Sequence, residues 1–330
     1  MHHALPIDDV LDQVIDALRR ENRVVLQAPP GAGKTTRVPL AMLEAGVTQG
    51  RIIMLEPRRL AARAAAERMA ATLGEKPGQT VGYRVRGASK VSAETRIEVV
   101  TEGILTRMLQ DQPDLPGIGA VIFDEFHERS LNADLGLALC LEVAEALRDD
   151  LSLVVMSATL DAGPVADLIK ATIVTSEGRS FAVEAHWLDK PRGRQRLEDG
   201  CADLVRHALS SAEGSALVFL PGEGEIRRME GLLRTTLPSD CTIAPLFGAM
   251  DFKAQRAAIA PAPRGRKVVL ATAIAETSLT IEGVTIVVDA GRARRARFDA
   301  ASGRSRQGTD RVARAESARR AGRAGRRAPG

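Results

Sequence analysis

Short apolar runs of strand length recur at residues 24–26, 52–55, 97–100, 121–123 and 153–156, and alanine- and leucine-rich sequence compatible with helix separates each from the next. Runs of this kind, apolar on both faces, are what strands look like when helical layers cover both sides. The pattern predicts a parallel sheet flanked by helices. A second series occupies residues 216–220, the neighbourhood of Ile243, 268–270 and 286–288. Two tandem α/β domains are therefore expected, spanning residues 1–178 and 179–330. The junction falls near residues 176–188, and the polar stretch DKPRGRQRLEDG supplies the connection.

Composition adds limits to this picture. A chain of 330 residues with 45% hydrophobic and 27% charged residues can bury two ordinary cores. No apolar run approaches the ~18 residues a membrane span needs, so no membrane partner is expected. The first twenty residues carry Asp8, Asp9, Asp12 and Asp16 on an amphipathic helical pattern and lack the basic-then-apolar order of a signal peptide. A cytoplasmic protein is expected. Cys140, Cys201 and Cys241 are far apart and form no CxxC pair, which argues against a disulfide framework or a zinc site.

Charge is distributed unevenly. Residues 291–330 hold 13 arginines, no lysine and three acids, a net of +10, whereas residues 1–290 carry a net of −6. Arginine outnumbers lysine 39 to 7 throughout, which accounts for the choice of cation but not for its clustering. An arginine-rich end suits a phosphate-rich partner, because the planar guanidinium grips phosphate oxygens.

The strongest chemical signal is QAPPGAGKTT, which fits G-x-x-x-x-G-K-[ST] with Ala28 in place of the first glycine. It sits between the apolar run 24–26 and a helical pattern starting near Lys34. In that setting the backbone of Gly31, Ala32 and Gly33 can wrap phosphates at a helix N-terminus. Lys34 then supplies a point charge, Thr35 a hydroxyl for Mg²⁺, and Thr36 continues the cradle. Asp124, Glu125 and His127, in AVIFDEFHERS, follow a second apolar run. Acids at the tip of a buried strand point to a site, with Asp124 on the Mg²⁺ and Glu125 polarising the attacking water. His127 is placed to contact the γ-phosphate or to relay its loss.

DEFH is a variant of the DEAH box, and the chain resembles superfamily 2 helicases of the DEAH/RHA group, most closely the bacterial HrpB-type ATP-dependent helicases. GAGKTTRVPL resembles motif I, EPRRLAAR Ia, TEGIL Ib, DEFHERSLNADLGLAL II, SAT III, LVFLPGEGEI IV, ATAIAETSLTI V and RRAGRAGR VI. This resemblance implies two RecA-like P-loop domains forming a cleft for ATP and Mg²⁺, with single-stranded RNA or DNA running across them. Arg58, Arg59, Thr101 and Glu102 would line the strand on the first domain and Thr272 on the second. Ser157 and Thr159 would couple the nucleotide to that track. Ser278 would sense nucleotide, and Arg323 and Arg326 would be the arginine fingers. Arg68 resembles the arginine that clamps the nucleotide base.

Several positions depart from the family pattern. Arg319 stands where motif VI has the glutamine that helps place water, Ala273 replaces the asparagine of motif V, and Ile259 holds the place of the clamping aromatic. Family members also continue past motif VI, so the second domain is expected to be incomplete. The implied activity is nucleic-acid-stimulated NTP hydrolysis coupled to 3′-to-5′ movement of a monomer. Two alternatives stay open, a hydrolysis-impaired binding fragment and a P-loop ATPase or kinase acting on a small substrate.

If phosphate contacts dominate, affinity for single-stranded RNA should fall steeply with salt, with a log–log slope of about −0.7 per phosphate contacted. Fluorescence anisotropy across a salt series measures this, and salt-insensitive, sequence-selective binding would sink it.

Overall fold

The first series of apolar runs builds one eight-stranded sheet. In the computed structural model, which describes residues 4–158, 162–178, 181–188, 195–262, 264–276, 281–299 and 303–326, the chain divides into two compact units, residues 1–179 and 180–330. The strands of unit 1 are β1 (Arg23–Gln27), β2 (Arg51–Leu55), β3 (Val81–Val85), β4 (Ala88–Lys90), β5 (Ile97–Val100), β6 (Ile118–Phe123), β7 (Ser152–Ser157) and β8 (Thr172–Thr175). Their order is β4-β3-β5-β2-β6-β7-β1-β8, and all pairs are parallel except β3–β4. Every residue of β5, β6 and β7 is buried, as strands covered on both faces require.

Alternation along the strands assigns their side chains to two cores. Leu26, Ile52 and Met54 pack with α1 (Leu11–Glu21), α2 (Lys34–Glu44) and α3 (Arg59–Thr72) through Leu18, Met42 and Met69. Val25, Ile53 and Phe123 pack on the other face with α4 (Glu102–Asp111), α5 (Leu131–Ala146) and α6 (Gly163–Ile169) through Leu105, Leu137, Cys140 and Ile169. Three strands, β3, β4 and β8, lie outside the apolar runs expected from sequence. β4 and β8 are the edge strands and are largely unburied, while β3, though buried, has Gly82 and Arg84 interrupting its apolar run.

Unit 2 has a four-stranded parallel sheet of β9 (Ser215–Phe219), β10 (Thr242–Leu246), β11 (Lys267–Ala271) and β12 (Val284–Asp289), in the order β10-β11-β9-β12. Its helices are α7 (Leu197–Ser211), α8 (Glu223–Arg234), α9 (Phe252–Ile259) and α10 (Arg314–Ala321). Val205, Val218, Ile226, Met229 and Leu270 form its core. After β12 the chain makes an antiparallel hairpin, β13 (Arg292–Asp299) and β14 (Arg304–Arg311). No helix of the described residues is long and apolar enough to cross a membrane.

The hairpin and α10 take up the arginine-rich end, and part of its charge is consumed internally. Arg294 pairs with Glu225 at 3.4 Å, Arg297 with Asp310 at 2.7 Å, Arg295 with Glu316 and Arg319 with Glu276 at 3.2 Å. Arg292, Arg304, Arg306 and Arg311 are exposed. Net charge along the chain therefore overstates the basic surface offered to a partner.

Arg320 is the centre of this network. Only 1% exposed, it lies 2.9 Å from Asp289 on β12, 2.8 Å from Glu316 one turn earlier on α10, and 3.5 Å from Glu276. Its guanidinium also stacks 4.9 Å from the centroid of the Phe219 ring on β9. Burial pushes the Glu276 carboxyl up, and the Arg320 charge opposes that shift. Arg320→Ala would leave three acids without their shared cation and is expected to cost unit 2 about 3–5 kcal/mol. Denaturant titration measures it; a loss below about 1 kcal/mol, the range of an exposed ion pair, would contradict a central role.

Candidate nucleotide site

Four strands adjacent in the sheet, β1, β7, β6 and β2, end at one edge, and each delivers a polar group there. Clefts at the carboxyl ends of parallel strands are where α/β sheets bind ligands. From β1 the chain turns through Pro29 to Gly33 into α2. Gly31 and Gly33 take φ of 88° and 99°, left-handed values that a Cβ would strain. A Cβ on Gly33 would also lie 2.6 Å from the Leu5 side chain. Ala28, in the position of the motif's first glycine, is fully buried and packs into the core, so its methyl leaves the turn unobstructed.

The helix start carries Lys34 and Thr35 into contact with the tip of β6. The Thr35 hydroxyl donates to Asp124 Oδ2 at 2.5 Å, and Lys34 Nζ lies 3.0 Å from Glu125 Oε1. Lys34, Asp124 and Glu125 are all buried. Burial lowers the Lys34 pKa, but the Glu125 and Asp124 carboxylates outweigh it and hold the ammonium charged. Asp124 is raised by burial, against the pull of Lys34. Glu125 itself adopts φ 51°, a left-handed conformation that is strained for a residue with a Cβ. In it, its backbone N–H donates to Asp124 Oδ1 at 2.8 Å.

His127 ties this pair to β7. Its Nδ1 accepts the Ala158 N–H at 3.3 Å, so the neutral ring carries its proton on Nε2, which faces Glu125 Oε2 at 3.4 Å. Burial lowers the imidazole pKa, and the Glu125 charge opposes it. Ser157 reaches the phosphate loop through its backbone, its carbonyl accepting from the Ala28 N–H at 3.0 Å. Thr36 Oγ1 donates to the Gly33 carbonyl at 3.4 Å.

Glu56 was not singled out from the sequence. It directly follows β2, level with Asp124 on β6's tip, and is 1% exposed. Burial, followed by the Asp124 and Glu125 charges, raises its carboxyl well above the usual range. The signal was present, since Glu56 follows the apolar run 52–55 as Asp124 follows 121–123. Three buried carboxyl groups thus lie close to one buried ammonium. A surplus of hard oxygen donors, with the Thr35 hydroxyl beside them, fits a divalent cation. Among the described residues no group of three or more acidic, histidine or cysteine side chains is placed to hold a metal ion, so any cation held here would draw on Asp124 and the Thr35 hydroxyl with ligands from the nucleotide.

The remaining candidates fall elsewhere. Arg58 and exposed Arg59 open α3 after β2, and Thr101 and Glu102 open α4 after β5, the next strand along the edge. These four gather beside the nucleotide groups and not among them. Arg68 is exposed on α3. In unit 2, Thr272 follows β11, with its backbone N–H bonded to the Leu246 carbonyl at 3.2 Å, and Arg323 is buried. Arg319 is held against Glu276, which lies in the motif V segment, residues 271–281. Thr159, Ser278 and the side chain of Arg326 lie outside the described residues.

Comparison with known proteins agrees with this arrangement. Residues 9–168 match the DEAD/DEAH box helicase model and residues 200–328 the helicase conserved C-terminal domain. The chain is 53% identical over 329 residues to the ATP-dependent RNA helicase HrpB of Escherichia coli, covering 99% of this chain and 40% of that protein. It is 35% identical over 337 residues to the pre-mRNA-splicing factor ATP-dependent RNA helicase prp22 of Schizosaccharomyces pombe, of which it spans 29%. The crystal structure of Escherichia coli DEAH/RHA helicase HrpB superposes with a TM-score of 0.92 at 54% identity, over 99% of this chain and 42% of that one. With the phosphate loop facing the acids of the DEFH box, the chain carries a DEAD/DEAH box helicase domain over residues 9–168, followed by a helicase conserved C-terminal domain over residues 200–328.

Proposed function

We propose that this chain binds ATP with Mg²⁺ and hydrolyses it, under stimulation by single-stranded RNA, to drive 3′-to-5′ movement along the strand. The observation that carries the reading is the contact of Lys34 and Thr35 with Glu125 and Asp124 across two strand tips. Lys34 binds the β- and γ-phosphates, and the shift of its ammonium from carboxylate to phosphate frees Glu125 to orient water. His127 Nε2–H steadies Glu125, and its Nδ1 links that acid to the Ser157–Ala158 backbone. Thr35 and Asp124 would hold Mg²⁺, which supplies charge neutralisation for the phosphates. Arg58, Arg59, Thr101 and Glu102 would contact the strand's backbone, where contacts give affinity without sequence reading. The roles of Arg68, Ser278, Thr272, Arg323 and Arg326 are read from the family motifs.

The named relatives are ATP-dependent RNA helicases, which favours RNA over DNA as the strand. A hydrolysis-impaired reading draws on Arg319, whose guanidinium lies 3.2 Å from Glu276 where the family has a water-placing glutamine. Steady-state ATPase with and without single-stranded RNA separates the two.

Glu125→Gln should abolish hydrolysis while nucleotide affinity stays near normal, because it removes the base but keeps its shape and leaves Asp124 in place. Lys34→Ala should weaken binding itself. Nucleotide-binding titrations alongside ATPase assays distinguish these effects, and loss of binding alone in both variants would show the roles to be misassigned.

A further inference from the structure

Downstream of the DEFH acids, the chain touches both segments assigned to the strand, and nothing in the proposed chemistry uses those contacts. Residues Phe126–Glu128 form a single 3-10 turn after Glu125, and the Glu128 N–H donates to the Glu125 carbonyl at 2.9 Å. Phe126 fastens the turn to the core, its ring edge-on to Phe123 with centroids 6.2 Å apart. The Arg129 guanidinium lies over the same ring, 5.8 Å from its centroid, and pairs with Asp134 at 3.0 Å. The turn is therefore anchored through Phe126, and its own hydrogen bond ties any displacement of Glu128 to Glu125.

Glu128 Oε2 lies 3.4 Å from Arg58 Nη2, the arginine that follows β2. Both side chains are mostly buried, at 19% and 27% exposed, and Glu128 Oε1 is enclosed with no hydrogen-bond partner among the described residues. Two residues on, Ser130 caps α5, its Oγ accepting the Ala133 N–H at 3.0 Å. The same hydroxyl lies beside the carboxyl of Glu102, the residue that opens α4 after β5, and opposes the upward shift that burial gives it. One short segment thus bonds to Glu125 at its start and to Arg58 in its middle, and its end adjoins Glu102.

We propose that Glu128 and Ser130 are positioning residues that couple the hydrolytic acid to the strand-binding segments, so that a phosphate engaging Arg58 is felt at Glu125 through the Glu128 turn. The inference rests on the proposed function, since it needs a strand at Arg58 and a nucleotide at Lys34. A phosphate on Arg58 competes with Glu128 for the guanidinium. The carboxylate, already short of donors, then has reason to move, and it carries with it the turn whose first hydrogen bond is to Glu125.

The test is a double-mutant cycle on the protein with Glu128→Gln and Arg58→Ala, reading ATPase activity with and without single-stranded poly(U) RNA and poly(U) affinity by anisotropy. Glu128→Gln keeps the size of the side chain and removes its charge. The stimulation by poly(U) should fall by about 5-fold or more, the lower end of ordinary coupling between sites, while basal ATPase stays within a factor of about two. In the Arg58→Ala background the same change should have no further effect on stimulation. Ser130→Asp provides a second variant, because aspartate still caps α5 but cannot donate to Glu102, and it should lower stimulation likewise. Full stimulation in Glu128→Gln, or effects of Glu128→Gln and Arg58→Ala that simply add, would overturn the coupling. A parallel fall of basal and stimulated rates with a lowered melting temperature would overturn it too, assigning Glu128 a purely structural role. If the unsubstituted protein hydrolyses ATP but ignores poly(U), the proposed function fails along with this inference, and the two failures are told apart by that control.

Discussion

Parallel pairing puts the carboxyl ends of neighbouring strands at a common edge, and the rest of the chemistry depends on the order in which they arrive there. In unit 1 that order is β5-β2-β6-β7-β1 across the centre of the sheet. The registers Leu55↔Val100 and Leu55↔Phe123 bring Glu56, Thr101 and Asp124 level with one another, although about 70 residues separate the first from the last. The registers of β1 and β7 do the same for Gln27 and Ser157, just before the phosphate loop. Strand order therefore sorts the motifs. Candidate nucleotide groups occupy the β1, β7 and β6 tips, candidate strand contacts follow β2 and β5, and Glu56 stands at the boundary.

That boundary is where the electrostatics are most demanding. Lys34 is a single buried cation facing Asp124, Glu125 and Glu56, and burial disfavours every charge among them. The apolar core beneath supplies no compensation, because Phe123, Leu55 and Leu26 fill the layer directly below. A site with one ammonium and a surplus of oxygen donors suits a phosphate and a divalent cation together better than either alone. Unit 2 solves a similar problem internally, with Arg320 balanced by acids on β12, α10 and motif V.

The arginine-rich end illustrates the difference between counting charge and locating it. Five of its arginines sit against carboxylates, two of them in the hairpin contacting Glu225 on α8 and Glu316 on α10. Such pairs fix the hairpin base to the body of unit 2, while the exposed Arg304 and Arg306 lie beyond it on β14. Salt bridges at exposed positions contribute little each, so the hairpin's anchoring rests on several acting together.

The sequence by itself determined the two α/β units, the central parallel strands, the phosphate loop and the acids of the DEFH box. Each of these is written locally, as an apolar run of strand length or as polar residues at fixed spacing after one. It also carried the family, because motif order survives without coordinates. Tertiary structure alone decided which motif tips become neighbours, since strand order in a sheet is not encoded in strand spacing along the chain. Glu56 shows the consequence: its local signal matched that of Asp124, but only the pairing of β2 with β6 made the two carboxyls partners. The same holds for Glu128 against Arg58, 70 residues apart, and for Arg320, whose burial depends on three acids from separate elements. Long-range ion pairs leave no periodic trace, because each partner alone reads as an ordinary surface charge.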